Sequence, residues 1–540
     1  MYRKHQNGII EIEIKTGAEI KNPFWDIEVK AVFNHIKENK TCMLCGFYDG
    51  RNENGEHIWK VRWMPALPGE WTCSICSYPV IEGLTEISTI QVGVEELGKR
   101  GYLHTCAKEK WGLRFDNGEP LYLFGDTMYN LFGARYCGVD VVKVLHHRKS
   151  QGINYIRARM QVSPYHPQTR NSWQTKDCWP WGGSSQFPDF TRFNLDYFRA
   201  VDDVISIMTD MSMGLELIFE AWLLEFPFND RNKFIPEFEE LWFKYIISRY
   251  TAYPSVYIWC PANEYEFYPV GEVRYRPEAD RWLKRLAAMI RQYDPYCHPI
   301  GAHNWEQKIP LSDRVGNIDN IDVYLIQTDW FLEPMKFSRN ASLCMWMKDQ
   351  LNHHSAKRDK VAICDEFGYE KSGNLFSVDG HEVMDHNHTR RGQWRAGFSG
   401  YPVVHGFNNT WGPHFTLETD SIGAKYLLHY YRFMTCDILF YEMTPTDELF
   451  RNASGCEEEG TLPMCLSDET QSVVSVYFPA KGECELKLHR PEEYMFCWMN
   501  PRTGEKSMYT PCKSCSFNTP ESNEGNEPWG DDWVLLLKKQ

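Results

Sequence analysis

The chain has 540 residues, enough for two to four domains at about 150 residues each. Its hydrophobic (43%) and charged (24%) fractions are those of a folded globular protein and exclude disordered, collagen-like and coiled-coil chains. Lys and Arg number 58 against 73 Asp and Glu. The net charge of −15 disfavours nucleic acid as a partner, and no run of about 18 apolar residues offers a membrane span.

Residues 1–97 read as an N-terminal β-sandwich. Runs such as IIEIEI, WDIEVKAVF, IWKVRWMP and EWTCSIC are rich in β-branched and aromatic residues and are separated by Asp49-Gly50, Asn54-Gly55 and Pro68-Gly69. The Trp residues of this block (Trp25, Trp59, Trp63, Trp71) fall on strand runs, so its expected task is to brace the neighbouring domain. The opening MYRKHQNGIIEIEIK lacks the apolar core of a secretory signal. With 18 scattered cysteines, the expectation is a cytoplasmic protein with reduced thiols. Cys42-x2-Cys45, Cys73-x2-Cys76 and Cys512-x2-Cys515 have zinc spacing, but they sit inside strand-like runs rather than turns.

Residues 98–444 change grammar. Eight short apolar runs (120–126, 153–159, 215–220, 255–260, 299–303, 322–327, 361–366, 403–409) alternate with helical patterns, clearest at 192–211, 237–252 and 278–294. Strict βα alternation predicts a (β/α)8 barrel, a TIM barrel, as the centre of a multidomain α/β chain. Residues 445–540 return to short strands and predict a C-terminal β-sandwich.

A barrel of this kind carries its chemistry at the C-terminal ends of its strands. Strand four ends in Asn263-Glu264 and strand seven in Asp365-Glu366. Alternation along VAICDE puts Val361, Ile363 and Asp365 on one face and Ala362, Cys364 and Glu366 on the other; we expect Glu366 to face the cleft. Two carboxyl groups so placed can cleave a glycosidic bond, one protonating the leaving oxygen and the other attacking the anomeric carbon. Asn263 can hold a neighbouring sugar hydroxyl. Asp126 reads equally as a helix cap or a sugar ligand. Glu220 closes strand three, His303 strand five and Gln327 strand six; Trp222, Trp330 and Trp411 are candidate sugar platforms. His386 and His388 in DHNH stand at the start of a helix-like stretch near the mouth, without a metal motif around them.

These ordered strand ends resemble glycoside hydrolase clan A. GINYIR (152–157) resembles that clan's GxNxxR, which places Arg157 near the nucleophile; Asn263-Glu264 and Glu366 resemble its acid/base and nucleophile pair; and Trp411 follows strand eight, where the clan often puts a Trp under the sugar. More narrowly, LYLFGDT (121–127), PALPGEW (65–71), the W-NPRTG strand (498–504) and DWVLLL (532–537) resemble the apiosidase-like barrels, which often carry an N-terminal Ig-like sandwich and a C-terminal one. The resemblance implies a retaining glycoside hydrolase with catalytic Glu264 and Glu366, an oligosaccharide substrate of plant type and no cofactor. Asn263, Arg157, Asp126, Glu220, Trp222, His303, Gln327, Trp330 and Trp411 would bind substrate. The rival expectation is a non-catalytic carbohydrate-binding protein on a degenerate barrel. One feature departs from the clan, whose nucleophile is oriented by an aromatic hydroxyl near strand six. Here strand six ends in Gln327 with Tyr324 three residues earlier, which leaves that role unfilled. Exposed sandwich edges leave a homo-oligomer open.

Overall fold

A computed structural model describes the chain apart from residues 1, 5–7, 94–99, 110, 163–172, 222–224, 273, 306–308, 328–359, 371–385, 412–414, 416–420, 457–459 and 522–530, and apart from the side chains of 3, 369, 388, 408 and 411. Eight parallel strands form its centre: β1 (Phe124–Thr127), β2 (Tyr155–Arg159), β3 (Gly214–Ala221), β4 (Val256–Asn263), β5 (Gly301–His303), β6 (Val323–Gln327), β7 (Val361–Glu366) and β8 (Val403–Phe407). They are hydrogen-bonded in the order β4-β3-β2-β1-β8-β7-β6-β5. A bridge between Trp259 and Ile300 joins β4 to the segment before β5, so the ring nearly closes. Each observed strand overlaps one of the eight apolar runs, as short apolar runs between helical repeats require.

The helices follow the same logic. α1 (Leu131–Tyr136) and α2 (Val141–Ser150) lie between β1 and β2. α3 (Leu195–Asp210) precedes β3, α4 (Pro236–Tyr250) precedes β4 and α5 (Pro277–Tyr293) precedes β5. α3 begins at Asn194, whose side chain accepts the Tyr197 backbone N–H; α4 and α5 begin on Pro, whose fixed φ suits a first helical turn. Apolar residues three and four apart on α3 (Tyr197, Phe198, Val201, Val204, Ile205, Met208) are all buried.

Two apolar layers result. Inside the ring, Leu123, Tyr155, Ile218, Ile258, Cys260, Val323, Leu325, Val361, Ile363 and Val404 form one cluster. It continues into Leu103, Leu113 and Phe115 of the antiparallel pair Leu103–Thr105 and Leu113–Phe115, which plugs the end of the barrel where the strands begin. Gly125 of β1 makes this packing possible: a Cβ there would stand 2.8 Å from Val404 and 2.9 Å from Tyr155. The larger cluster between ring and helices includes Phe124, Ile156, Leu217, Trp259, Ile326, Cys364 and Val403.

Ahead of the barrel, two four-stranded antiparallel sheets share one core built on Ile10, Ile12, Ile14, Phe33, Trp59, Val61, Trp63, Trp71 and Ile75. Trp25 differs from the expectation: it lies in a turn, is 43% exposed and meets Phe238 of α4 edge-on. After the barrel, a six-stranded and a three-stranded sheet enclose Val474, Val476, Phe478, Leu486, Leu535 and Leu537.

Buried ion pairs join the flanking sheets to the barrel. Arg62 donates to Asp202 of α3 (2.9 and 3.1 Å) and to the Arg249 carbonyl of α4 (3.0 Å), while Arg249 donates to Asp202 and to Asp49 (2.9 Å). Burial opposes the Asp202 charge, but the two guanidinium groups outweigh it and hold that carboxyl well below the usual range. On the other side Asp532 accepts from Arg390 (3.0 Å) and Arg502 (2.7 Å). Removing one member of such a cluster strands the rest in low dielectric. Arg249→Met is therefore expected to lose about 3–5 kcal/mol of stability. Urea unfolding followed by circular dichroism would measure it, and a loss below about 1 kcal/mol would show that water already satisfies Asp49 and Asp202.

Candidate active site

The reactive side chains of the strand ends meet around one guanidinium. Arg157 of β2 is fully buried. Its Nε stands 2.7 Å from Asp365 Oδ2 and 3.3 Å from Glu216 Oε1. Its Nη1 donates to Glu366 Oε2 (3.0 Å) and to the Tyr129 hydroxyl (2.7 Å), and its Nη2 donates to Asn263 Oδ1. One cation thus touches residues from β3, β4, β7 and the turn after β1. Burial works against the Arg157 charge, but Tyr129 and the carboxylates around it raise its pKa well above normal, so it stays charged.

β7 departs from simple alternation. Val361 and Ile363 lie in the inner cluster, so they face the barrel interior and Asp365 follows them inward. The expected assignment of faces is reversed along this strand. The register between β6 and β7 then shifts: Ile326 pairs with Cys364, but Gln327 pairs with Glu366, leaving Asp365 as the extra residue of a bulge. A bulge re-aims the next side chain. Asp365 and Glu366 therefore both reach Arg157, at different depths.

Residual exposure separates the two depths. Asn263, Glu264 and Glu366 keep 6% each, whereas Arg157, Glu216, His303 and Asp365 have none. Burial, and next the charge of Glu216, push the Asp365 carboxyl up, while Arg157 and His303 pull it the other way. Tyr155 adds a hydrogen bond to Glu216 (2.9 Å).

Glu264 is held from three directions. Its backbone is left-handed (φ 54°, ψ 54°), a costly conformation for a non-glycine residue. Its N–H donates to His303 Nδ1 (3.1 Å), and its Oε1 accepts from Gln327 Nε2 (2.9 Å). Because His303 Nδ1 accepts, the ring proton sits on Nε2, which faces Glu366 Oε2 at 3.5 Å. Burial and the Arg157 charge lower the His303 pKa, keeping the ring neutral. Burial, and next the negative charge of Glu366, raise the Glu264 carboxyl to about 8; the Gln327 hydrogen bond pulls the other way.

Not every expected residue reaches this cluster. Asp126 faces the helices, accepting from Arg148 of α2 (2.8 Å) and from Thr410 (3.1 Å). The N-cap of α1 is Asn130, so Asp126 does not cap it. Glu220 lies 3.8 Å from Arg231, which also donates to the buried Glu239 of α4. Trp222 and Trp330 lie outside the described residues. Trp411 ends the one-turn helix Asn408–Trp411 after β8, and its side chain is outside the described part. Tyr129, Glu216 and the inward Asp365 were not anticipated. A register signal existed for Glu216: Arg157 and Glu216 are direct partners in the β2–β3 ladder.

A parallel eight-stranded ring with two acids at the ends of β4 and β7 is the architecture of the clan A glycoside hydrolase barrels. Residues 107–420 match the family described as Apiosidase-like, catalytic domain, and residues 3–78 match a domain of unknown function, DUF5060. The chain belongs to the Apiosidase-like family. A putative glycoside hydrolase from Bacteroides vulgatus superposes with a TM-score of 0.66 at 17% identity, over 98% of this chain and 98% of that one. A glycoside hydrolase family 5 protein from the same organism gives 0.61 at 16% identity, over 81% of this chain and 94% of that one. At these identities the superpositions speak to the fold. No curated protein matches the chain.

The raised Glu264 pKa has a measurable consequence without any substrate. Between its unfolded value near about 4.3 and its folded value of about 8, the native state keeps a proton that the unfolded chain has released. Stability therefore falls as pH rises through that window. Glu264→Gln removes the titration, so its stability relative to wild type is expected to grow with pH, by at most about 1.4 kcal/mol per unit. Urea unfolding from about pH 4 to 8 reads this directly, and a gap independent of pH would contradict the assignment.

Proposed function

We propose that the protein is a retaining glycoside hydrolase acting on oligosaccharides of plant type. The observation that carries the reading is the opposed environment of two carboxyl groups at one mouth. Glu264 keeps its proton through burial and the neighbouring negative charge. Glu366 accepts hydrogen bonds from Tyr129 (2.9 Å) and Arg157 (3.0 Å), donors that suit a carboxylate. That is the division of labour a double displacement needs.

In this mechanism Glu264 gives its proton to the glycosidic oxygen as Glu366 attacks the anomeric carbon. A glycosyl–Glu366 ester forms and the aglycone leaves. Glu264, now a base, takes a proton from water, which attacks the same carbon and frees the sugar with its configuration retained. As the ester forms, Glu366 loses its charge, and Glu264 becomes easier to ionise when it must act as base. Asn263, fixed by Arg157, offers its amide N–H to the sugar hydroxyl beside the reacting carbon.

Tyr129 takes the orienting role that strand six leaves open. Arg157 can only donate to the Tyr129 oxygen, so the single hydroxyl proton goes to Glu366. The Arg157 and Arg159 guanidinium carbons stand 5.2 and 5.3 Å from the Tyr129 ring centroid, which fixes the ring. Gln327, at the end of β6, instead serves Glu264.

Wild type, Glu264→Gln, Glu366→Ala and Tyr129→Phe should be compared on aryl glycosides and plant oligosaccharides, with the product anomer followed by NMR. Glu366→Ala is expected to lose about 10³-fold or more in kcat. Tyr129→Phe should lose about 10- to 100-fold while remaining folded. For unactivated substrates kcat/KM should fall as pH rises through about 8, where Glu264 loses its proton, and that fall should flatten for aryl leaving groups that need no protonation. Net inversion, or normal turnover by Glu366→Ala, would overturn the reading.

A further inference from the structure

Two thiols stand outside this chemistry but beside its wall. Cys137 follows α1, the helix that starts just after Tyr129. Cys178 precedes the strand pair Trp181–Gly183 and Pro188–Phe193. They are 41 residues apart in sequence, yet their sulfurs are 3.4 Å apart. We propose that Cys137 and Cys178 form a dithiol–disulfide site, with Cys137 as the attacking thiolate, Cys178 as the resolving thiol and a low-molecular-weight disulfide of the glutathione class as co-reactant.

The two sulfurs differ in the way such chemistry requires. Cys137 is partly exposed, whereas Cys178 is buried, with the carbonyls of Lys176 (3.6 Å) and Gly133 (3.9 Å) near its sulfur. Burial pushes the Cys137 thiol up. The Cys178 S–H, the backbone N–H groups of Lys176 and Thr175 and the Thr175 hydroxyl outweigh it and leave Cys137 below the ordinary thiol range. Burial, and then the Cys137 charge, push Cys178 up. Elsewhere burial alone dominates and raises Cys42, Cys73 and Cys484 to about 12, where thiolate is scarce.

The Cys137 thiolate attacks one sulfur of the small disulfide, forming a mixed disulfide and expelling one thiolate. Cys137 then carries no charge, so one of the groups holding the Cys178 proton is gone. Cys178 releases that proton to the departing thiolate and attacks the Cys137 sulfur, expelling the second small thiolate, which takes from water the proton that Cys137 gave up on ionising. Two protein thiols are oxidised and one small disulfide is reduced to two thiols. Reaching bond length requires the sulfurs to close by roughly 1.4 Å. The segment is already seated for this: a Cβ on Gly133 of α1 would touch Val162 and stand 3.4 Å from Trp173, so the chain beyond β2 packs directly on α1.

The test needs no sugar substrate and is independent of the hydrolase reading. The full-length protein is incubated with oxidised glutathione and mapped by peptide mass spectrometry. Wild type should yield the Cys137–Cys178 disulfide peptide. Cys178→Ser should stop with one glutathionyl group on Cys137, and Cys137→Ser should leave Cys178 unmodified. Iodoacetamide at neutral pH should alkylate Cys137 faster than the more exposed Cys76, Cys297 and Cys436. Oxidation at other cysteines while this pair stays reduced, or alkylation of Cys137 more slowly than those three, would overturn the proposal.

Discussion

One buried positive charge organises the mouth of this barrel. Arg157 has no solvent to satisfy it, so each of its N–H groups must find a protein acceptor. Those acceptors are Glu216, Asn263, Tyr129 and Glu366, with Asp365 alongside as an ion pair. The guanidinium is planar and forked, so its acceptors are fixed in direction as well as distance. The position of the upper acid is then a consequence of the lower layer, and a change at Glu216 or Asp365 would be felt at Glu366 without touching any substrate.

Much of this was legible in the chain. Eight apolar runs and the helical stretches between them give the barrel because period and length are local properties. Asn263, Glu264, His303, Gln327 and Glu366 could be nominated from strand ends, and Arg157 from the resemblance of GINYIR to the clan's GxNxxR. What could not be read is how those ends twist. Alternation divided β7 into its two faces but did not say which was the inner one, and the bulge at Asp365 delivered Glu366 to the mouth although Val361 and Ile363 face inward. A bulge leaves no fixed residue signature. Tyr129 escaped notice for a different reason: its hydroxyl reaches Glu366 from the turn after β1 rather than from strand six, and only the ring brings that turn beside the end of β7. Asp126 misled because Asp-Thr before a helix reads as a cap, whereas its true partner, Arg148, sits on α2.

The flanking sheets share the barrel's outer apolar core, through Phe47 and Met64 on one side and Leu466, Tyr477 and Leu536 on the other, and buried charges are set into those contacts. Asp202 and Arg249 on α3 and α4, and Arg390 on the helix His386–Phe398, lie on the outside of the ring, where a bare barrel would show water an ordinary polar surface. Here those groups are buried by Arg62 and Asp532 from the neighbouring sheets. Such contacts are strongly directional and weakly stabilising in net terms, so they suit domains that must be seated in one orientation.

The bulge at the end of β7 also lets one strand bring two consecutive carboxyl groups to the same guanidinium. A substitution at Asp365 or Glu366 alters one side chain and leaves the strand's phase intact. Deleting a single residue between Val361 and Glu366 would cancel the bulge and leave Glu366 opposite Gln327, on the face of Val361 and Ile363, with no second acid beneath it. The extra residue is thus what stacks two acids at two depths, and a strand of regular alternation would present only one of them to Arg157.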